Sequence, residues 1–164
     1  MIEEMLNDEF MKKILLLAFV GILGIGCQKD VVFSEFKTIP KKGWDMNEPV
    51  KFMPNITDTL QAYDMQLVVR HTDQYAYQNL WLFVDVKYNS TILFSDTIEG
   101  MLANQRGKWL GDGMRTYELP LLYLENLKFP HQGEYEVVIK QGMRENVLQG
   151  IIDIGLKLTK HGKK

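Results

Sequence analysis

The chain has 164 residues, of which 46% are hydrophobic and 24% charged, a composition that allows one folded domain with a hydrophobic core. Its formal net charge of −2 gives it no general attraction to nucleic acid or to anionic membranes. Because it has a single cysteine, no disulfide can form within a monomer, and packing alone must stabilise the fold.

The N-terminal region carries a secretory signal of the lipoprotein type. Two lysines precede the apolar run 14–26, and the only cysteine, Cys27, follows it directly. The run is shorter than the roughly 20 apolar residues that a transmembrane helix needs. It also has no polar face, which a helix packed on a soluble domain would show. We therefore predict a signal peptide over residues 1–26, acylation of Cys27, and a lipidated tether over residues 27–32.

The first ten residues do not fit such a signal, because they include four acidic residues and no basic one. Export signals carry positive charge ahead of the apolar run, since that charge is retained on the cytoplasmic side. We predict that translation starts at Met11. N-terminal sequencing of the unprocessed precursor checks this, and a chain that begins at Met1 would refute it.

The rest of the chain shows the two-residue alternation of β-strands, interrupted by turn-forming residues. The clearest strand has Leu80, Leu82, Val84 and Val86 on one face. In chain order, the predicted strands cover residues 31–38, 49–56, 61–72, 80–88, 91–99, 134–141 and 149–160.

The segments between these strands also carry information. Pro54 marks the second predicted strand as an edge strand or a bulge. The pair Asn89-Ser90 predicts a hairpin turn, and residues 104–113 form a loop around a tryptophan. Residues 114–124 are apolar but contain Pro120, so the sequence is compatible with either a strand or a short helix there.

No segment shows a sustained helical period with end caps, so the pattern predicts an all-β fold. We expect a single antiparallel β-sandwich, Ig-like or jelly-roll-like, over residues 33–160, followed by a basic tail at 161–164. Tyr135, just after a predicted turn, is similar to the tyrosine found at sandwich corners. In the last strand we expect Ile152, Ile154, Leu156 and Leu158 to face the core.

The sequence does not show the spacing of common catalytic or metal sites. Its three histidines, His71, His131 and His161, are far apart, and there is no second cysteine for a zinc site. No serine lies in a nucleophile elbow, and the glycines of 107–113 do not lead from a strand into a helix. We therefore expect no metal, no cofactor and no enzymatic activity. A hydrolase of envelope polymers is the least favoured alternative, since paired carboxylates can always be proposed.

Two segments, 70–81 and 104–113, carry more aromatic and polar residues than a scaffold requires. Aromatic and arginine residues on loops are common anchors of protein contacts and of sugar binding. The alternative is that the aromatic rings simply cover the ends of the sandwich. His71 and Asp73, two residues apart, can form a hydrogen-bonded pair or anchor the loop that begins at Thr72. The candidate partner-binding residues are Arg70, His71, Asp73, Tyr75, Tyr77 and Trp109.

The lipoprotein signal and the run LVVRHTDQYAYQNLW at 67–81 together resemble the GldH family, the gliding-motility lipoproteins of the Bacteroidetes. The resemblance extends over nearly all of the chain after Cys27. It continues through Asp96-Thr97-Ile98-Glu99, Gly107-Lys108-Trp109-Leu110-Gly111, Pro130 with Gly133-Glu134-Tyr135, Gln141-Gly142-Met143-Arg144-Glu145, and 150–155.

This resemblance implies a lipid-anchored protein of the cell envelope, at the outer membrane, that gliding requires. With the anchor, the two aromatic segments and the absence of a catalytic set, we expect a non-enzymatic component that docks to other gliding-motility or type IX secretion envelope proteins. The net charge of −2 gives no reason to expect a nucleic acid partner. The family supplies no catalytic residues to carry over, and the acylated Cys27 is the one functional residue that transfers. The alternative function is a carbohydrate-binding module in which Trp81, Trp109 and the tyrosines stack on surface glycans.

Overall fold

In a computed structural model, which describes residues 30–162, the chain folds into eleven β-strands. The predicted signal peptide, Cys27, and residues 163–164 of the predicted tail lie outside the described residues, and the predicted domain boundaries stay a prediction. Within residues 30–162 there is no helix that is long and apolar enough to cross a membrane. The strands are β1 (Val31–Thr38), β2 (Trp44–Asp45), β3 (Val50–Phe52), β4 (Asn55–Ile56), β5 (Tyr63–Thr72), β6 (Asn79–Tyr88), β7 (Thr91–Met101), β8 (Thr116–Leu127), β9 (Gly133–Gln141), β10 (Val147–Leu148) and β11 (Ile151–Lys160).

Two antiparallel sheets enclose the core, which confirms the prediction of an all-β sandwich. The first sheet has the strand order β1-β11-β5-β8, and the second has the order β3-β9-β6-β7 with β4 also paired to β9. Strands β2 and β10 form a separate two-stranded ribbon. These two short strands were not predicted, whereas six of the seven predicted strands match a strand to within two residues at each end.

Strand β6 shows how the alternation in the sequence produces the sandwich. Its even-numbered residues from Leu80 to Val86 have no exposed surface, whereas Trp81 and Phe83 on the other face are 38% and 46% exposed. After β6 the chain reverses at Asn89 and Ser90, whose φ angles are 49° and 66°. Two consecutive positive φ angles are typical of a type I′ turn, which matches the twist of a hairpin.

Segment 114–124, for which both a strand and a helix were open, belongs to β8. This strand ends one sheet, and Pro120 lies in its middle, opposite Val68. An edge strand tolerates proline because one side of it has no ladder to complete. Pro54 likewise separates β3 from β4, which both pair with β9 at an edge.

The start of β11 differs from the prediction. A register shift between Ile151 and Asp153 inserts an extra residue opposite β5. A bulge of this kind changes the face on which the following side chains lie. As a result Ile151 is buried, while Ile152, which was expected to face the core, is only partly buried. The other three predicted core residues of this strand are buried as expected.

The sandwich has two distinct ends. At the tether end, where β1 begins and β11 ends, Val31 pairs with Thr159 and Tyr63 pairs with Lys160. At the distal end, β5 leads into β6 and Thr72 pairs with Thr116 of β8. A ten-residue strand such as β5 spans about 30 Å, which sets the separation of the two ends.

The tether end is closed by aromatic residues. The buried Tyr135 contacts Phe129, with ring centroids 4.7 Å apart, and Phe129 contacts Tyr63 at 5.6 Å. The Tyr135 hydroxyl donates a hydrogen bond to the His131 carbonyl at 2.8 Å and accepts one from the His131 N–H at 3.0 Å. Tyr135 thus ties a turn to the sandwich, as its similarity to a corner tyrosine predicted.

Candidate functional site

The two aromatic segments that the sequence singled out meet at the distal end of the sandwich. Because the end of β5 pairs with the start of β8, the segment after Thr72 and the loop before Thr116 lie side by side. The ring of His71 lies 4.6 Å from that of Trp109 and 5.4 Å from that of Tyr117. Tyr117 was not among the predicted site residues.

His71 lies inside this cluster and has no exposed surface. Its Nδ1 is 3.0 Å from the carbonyl oxygen of Thr72, and because a carbonyl only accepts, Nδ1 carries the proton. Burial lowers the pKa of His71, so the ring is neutral. Of the two roles considered for this residue, the structure shows the anchoring of the Thr72 loop, while Asp73 is exposed and makes no hydrogen bond to the ring.

Tyr75 and Tyr77 differ in depth. Tyr75 is buried and its hydroxyl donates to the carbonyl of Asn79 at 2.8 Å, and burial raises the pKa of Tyr75 above its ordinary value. Tyr77 is only partly buried, and its hydroxyl donates to Glu145 at 2.9 Å. Trp109 is also partly buried. Of the aromatic candidates, Tyr77 and Trp109 therefore reach the surface.

Arg70 faces away from the aromatic cluster, on the outer face of its sheet. Its Nε lies 2.6 Å from a carboxylate oxygen of Glu118, and its Nη1 lies 3.6 Å from Asp153. The guanidinium also covers the Phe36 ring, 3.8 Å from its centroid. The hydrogen bond to Glu118 raises the pKa of Arg70, so the charge is held in place by its neighbours. Arg70 stabilises the sheet and does not line the same surface as Tyr77.

An open cleft of about 570 Å³ lies at the distal end, beside the aromatic cluster. We call it the distal cleft. It lies between the start of β6, with the connection that leads into it from β5, and the loop after β9. Tyr77 is the one predicted site residue that lines it. It is lined by Tyr77, Asn79, Trp81, Gly142, Met143, Arg144 and Glu145.

The loop 142–146 forms one wall of the distal cleft, and hydrogen bonds from the Gln141 side chain hold it in place. This side chain is buried, donates to the carbonyl of Glu145 at 2.7 Å, and accepts from the N–H of Met143 at 2.8 Å. The loop also touches β6, since the N–H of Gly142 donates to the carbonyl of Trp81 at 2.7 Å. The wall is therefore a fixed part of the sandwich.

The chemistry of the distal cleft is aromatic with polar groups at its rim. Trp81 presents an indole that is 38% exposed, and the amide of Asn79 donates to Glu99 beside it. Arg144 is exposed, and among the described residues it forms no ion pair. Trp, Tyr and Arg are the residues that most often anchor a protein interface. Within residues 30–162 no three His, Cys, Asp or Glu side chains are grouped to hold a metal ion.

The sequence analysis did not assign Met143, Arg144 and Glu145 to the site, because they show no alternation, motif or spacing of their own. The signal that points to them is the segment Gln141-Gly142-Met143-Arg144-Glu145, which carries part of the family resemblance. In the structure Gln141 is buried and Met143 packs against the core, while Arg144 and Glu145 are exposed on the distal cleft.

The fold and the cleft define a β-sandwich protein with an open aromatic cleft at one end. The chain belongs to the GldH lipoprotein family, whose profile matches residues 31–158. This confirms the resemblance seen in the sequence.

Two curated relatives agree with this assignment. The gliding motility lipoprotein GldH homolog of Christiangramia forsetii is 34% identical over 150 residues, covering 87% of this chain and 91% of the relative. The gliding motility lipoprotein GldH of Flavobacterium johnsoniae is 34% identical over 153 residues, covering 88% and 93%. Among solved structures, the infectious bursal disease virus VP2 subviral particle covers 79% of this chain and 30% of its own, at 14% identity and a TM-score of 0.36.

Proposed function

We propose that this protein is a lipid-anchored component of the gliding apparatus in the cell envelope, held at the outer membrane through acylated Cys27. Its sandwich acts without catalysis and docks other gliding-motility or type IX secretion proteins through the distal cleft. The observation that supports the distal cleft as the docking surface is its position. It opens at the end of the sandwich opposite the tether, where a partner can reach it.

The composition of the distal cleft supports a protein partner. Trp81 and Phe83 lie two residues apart on the outer face of β6, and Met143 packs against the backbone of Trp81. Exposed aromatic residues with arginine at the rim are typical of the centre of an interface. Isolated exposed apolar residues are normal on protein surfaces, whereas several of them around one cleft indicate a binding surface.

Substitution of Trp81 tests the docking surface in cells. We expect Trp81→Ala to abolish spreading on agar and to remove gliding or secretion proteins from the material that co-purifies with the protein. Leu122→Ala is the matched control, because Leu122 is 54% exposed but lies on β8, away from the cleft. The membrane-bound amount of both variants is measured by immunoblot. Normal spreading by Trp81→Ala at normal abundance would refute the proposal.

The lipid anchor has its own test. Mass spectrometry of the protein extracted from membranes should find acyl chains on Cys27 as the first residue. Cys27→Ser has no thiol to acylate, so it should lose the lipid anchor and stop gliding. An unmodified thiol at Cys27 in protein from living cells would contradict the anchor and leave the cleft test unaffected.

A second candidate function is glycan binding, which the exposed indole of Trp81 favours. Sugars stack on such rings, and the Asn79 amide and the Glu99 carboxylate beside it supply hydrogen-bonding groups. Trp109 is packed on His71, whereas the Trp81 indole is 38% exposed, so we expect Trp81 to be the stacking ring. A polysaccharide-binding screen should show binding that Trp81→Ala removes and Trp109→Ala retains. Absence of binding by the unaltered protein would eliminate this candidate.

A further inference from the structure

Two large apolar side chains are almost fully exposed, and they lie at opposite ends of the molecule. Leu60 is 91% exposed and lies between β4 and β5, at the tether end. Met114 is 92% exposed and precedes β8, at the distal end. A single exposed leucine needs no explanation by itself, but Leu60 lies on a fixed loop beside the point where the chain leaves for the anchor.

The loop that carries Leu60 is held in a fixed shape. The Asp58 carboxylate accepts hydrogen bonds from the N–H of Leu60 at 2.9 Å and from the next N–H at 3.2 Å. The hydroxyl of the buried Tyr63 donates to the carbonyl of Asp58 at 2.7 Å. These bonds fix the loop to the sandwich and leave the leucine pointing away from it.

The same loop adjoins the point where the chain leaves for the lipid anchor. The N–H of Lys160 donates to the carbonyl of Asp30 at 2.8 Å, and the N–H of His161 donates to the carbonyl of Ala62 at 2.8 Å. Asp30, the end of β11 and the Leu60 loop are therefore neighbours. Cys27 precedes Asp30 by three residues, which even fully extended reach only about 10 Å. A bilayer that holds acylated Cys27 lies within that reach of this end.

Charged and apolar side chains both lie at the tether end. His161 Nδ1 lies 2.7 Å from the carboxylate of Asp64. Two further exposed apolar residues lie at the tether end. Ile92 and Leu93, which follow the turn after β6, are 53% and 39% exposed.

We propose that the tether end is a second, non-covalent membrane contact, in which Leu60 inserts at the boundary between lipid headgroups and acyl chains. The contact holds the sandwich upright on the bilayer and keeps the distal cleft about 30 Å away from it. This inference rests on the proposed function in one respect, since it requires the acylated Cys27.

The single cysteine of the chain allows a direct test. Acylation consumes the Cys27 thiol, so one introduced cysteine can be labelled selectively with an environment-sensitive fluorophore. The test compares Leu60→Cys with its matched control, Met114→Cys, in lipidated full-length protein reconstituted into phosphatidylethanolamine vesicles, with and without phosphatidylglycerol. Both positions are equally exposed, so the labels differ only in which end they report.

The expected result is a blue shift of the emission at position 60 and its quenching by spin-labelled lipids, with no change at position 114. Both effects should be the same with and without phosphatidylglycerol. An unchanged label at position 60 on protein that floats with the vesicles would overturn the contact and leave the anchor standing. Equal quenching at both positions, or quenching only with phosphatidylglycerol, would also overturn it. Protein that does not float at all would refute the anchor itself.

Discussion

The imidazole ring of His71 lies against the indole of Trp109, with their centroids 4.6 Å apart, and this contact closes the distal end of the sandwich. It places a titratable group where water does not reach. Among the described residues, the Nε2 atom of His71 has no hydrogen-bond partner. Protonation of that atom would leave a positive charge buried among aromatic rings, which is costly.

We expect the free energy of unfolding to fall when the pH is lowered from 7.5 to 5.5. Burial lowers the pKa of His71 in the folded protein, whereas in the unfolded chain it is about 6.5. Below that value the unfolded state binds the proton and the folded state does not, so acid favours unfolding. Urea unfolding at the two pH values measures the effect, and in His71→Phe the difference between them should shrink.

His131→Gln is the control for this experiment, because His131 is exposed and lies at the other end of the sandwich. This variant should keep the pH dependence of the unaltered protein. If His71→Phe and the unaltered protein lost the same stability between pH 7.5 and 5.5, the buried histidine would not be the titrating group.

Gly150 and Gly107 have similar positive φ angles, 86° and 78°, but very different surroundings. A Cβ on Gly150 would lie 2.5 Å from the backbone nitrogen of Tyr75, whereas a Cβ on Gly107 would meet nothing within 4 Å. Gly107→Ala should therefore lose about 1 kcal/mol, the cost of a left-handed alanine. Gly150→Ala should lose clearly more, since backbone must also move. Equal losses in chemical denaturation would show that the Tyr75 loop yields freely.

The turn between β6 and β7 should be improved by a glycine. Ser90 has a φ of 66°, a conformation that side chains resist and that glycine adopts freely. Ser90→Gly creates the Asn-Gly pair preferred in type I′ turns, and we expect it to raise the stability by about 0.5 kcal/mol. Ser34→Gly, in the extended strand β1, should instead lower it, because glycine weakens strands. A loss of stability in Ser90→Gly by thermal unfolding would contradict the turn assignment.

The hydroxyl of Tyr135 should matter more than that of Tyr77. Tyr135→Phe removes two hydrogen bonds to the His131 backbone, each worth about 0.5–1.5 kcal/mol, so we expect a loss of about 1–3 kcal/mol. Tyr77→Phe removes one bond to an exposed carboxylate, and we expect a loss of at most about 0.5 kcal/mol. Urea unfolding of both variants under the same conditions gives the comparison. A reversed order would indicate that the 131–135 turn is not held by Tyr135.

The sequence predicted the long strands well, because their inner faces carry a regular alternation that only a two-sided sheet satisfies. Strand β6, with Leu80 and Val84 buried and Trp81 exposed, is the clearest case. The misassignment of Ile152 came from a bulge, which shifts the alternation by one residue and leaves no mark in the residue types. The short strands β2 and β10 offer two residues each, too few for any period to show.

The candidate site was predicted less completely, because residue type indicates chemistry but not depth. His71 and Tyr75 were selected for their hydrogen-bonding groups, and the fold turns both inward as parts of the distal closure. Arg70 was selected for its charge, but its guanidinium forms an ion pair with Glu118 on the neighbouring strand β8. The contribution of Met143 to the cleft depends on a contact with β6 that no local pattern reports.

Pro120 has a consequence for molecules that share one bilayer. Copies anchored in the same plane meet side by side far more often than they would in solution. A neighbour would encounter the outer edge of β8 beyond Glu118, which is itself bridged to Asp112. An uninterrupted row of N–H groups there would invite a strand from the adjacent copy to join the sheet. Pro120 has no N–H to offer at the midpoint of that row. We therefore expect crowding at the membrane not to fuse neighbouring sandwiches along this edge into a common sheet.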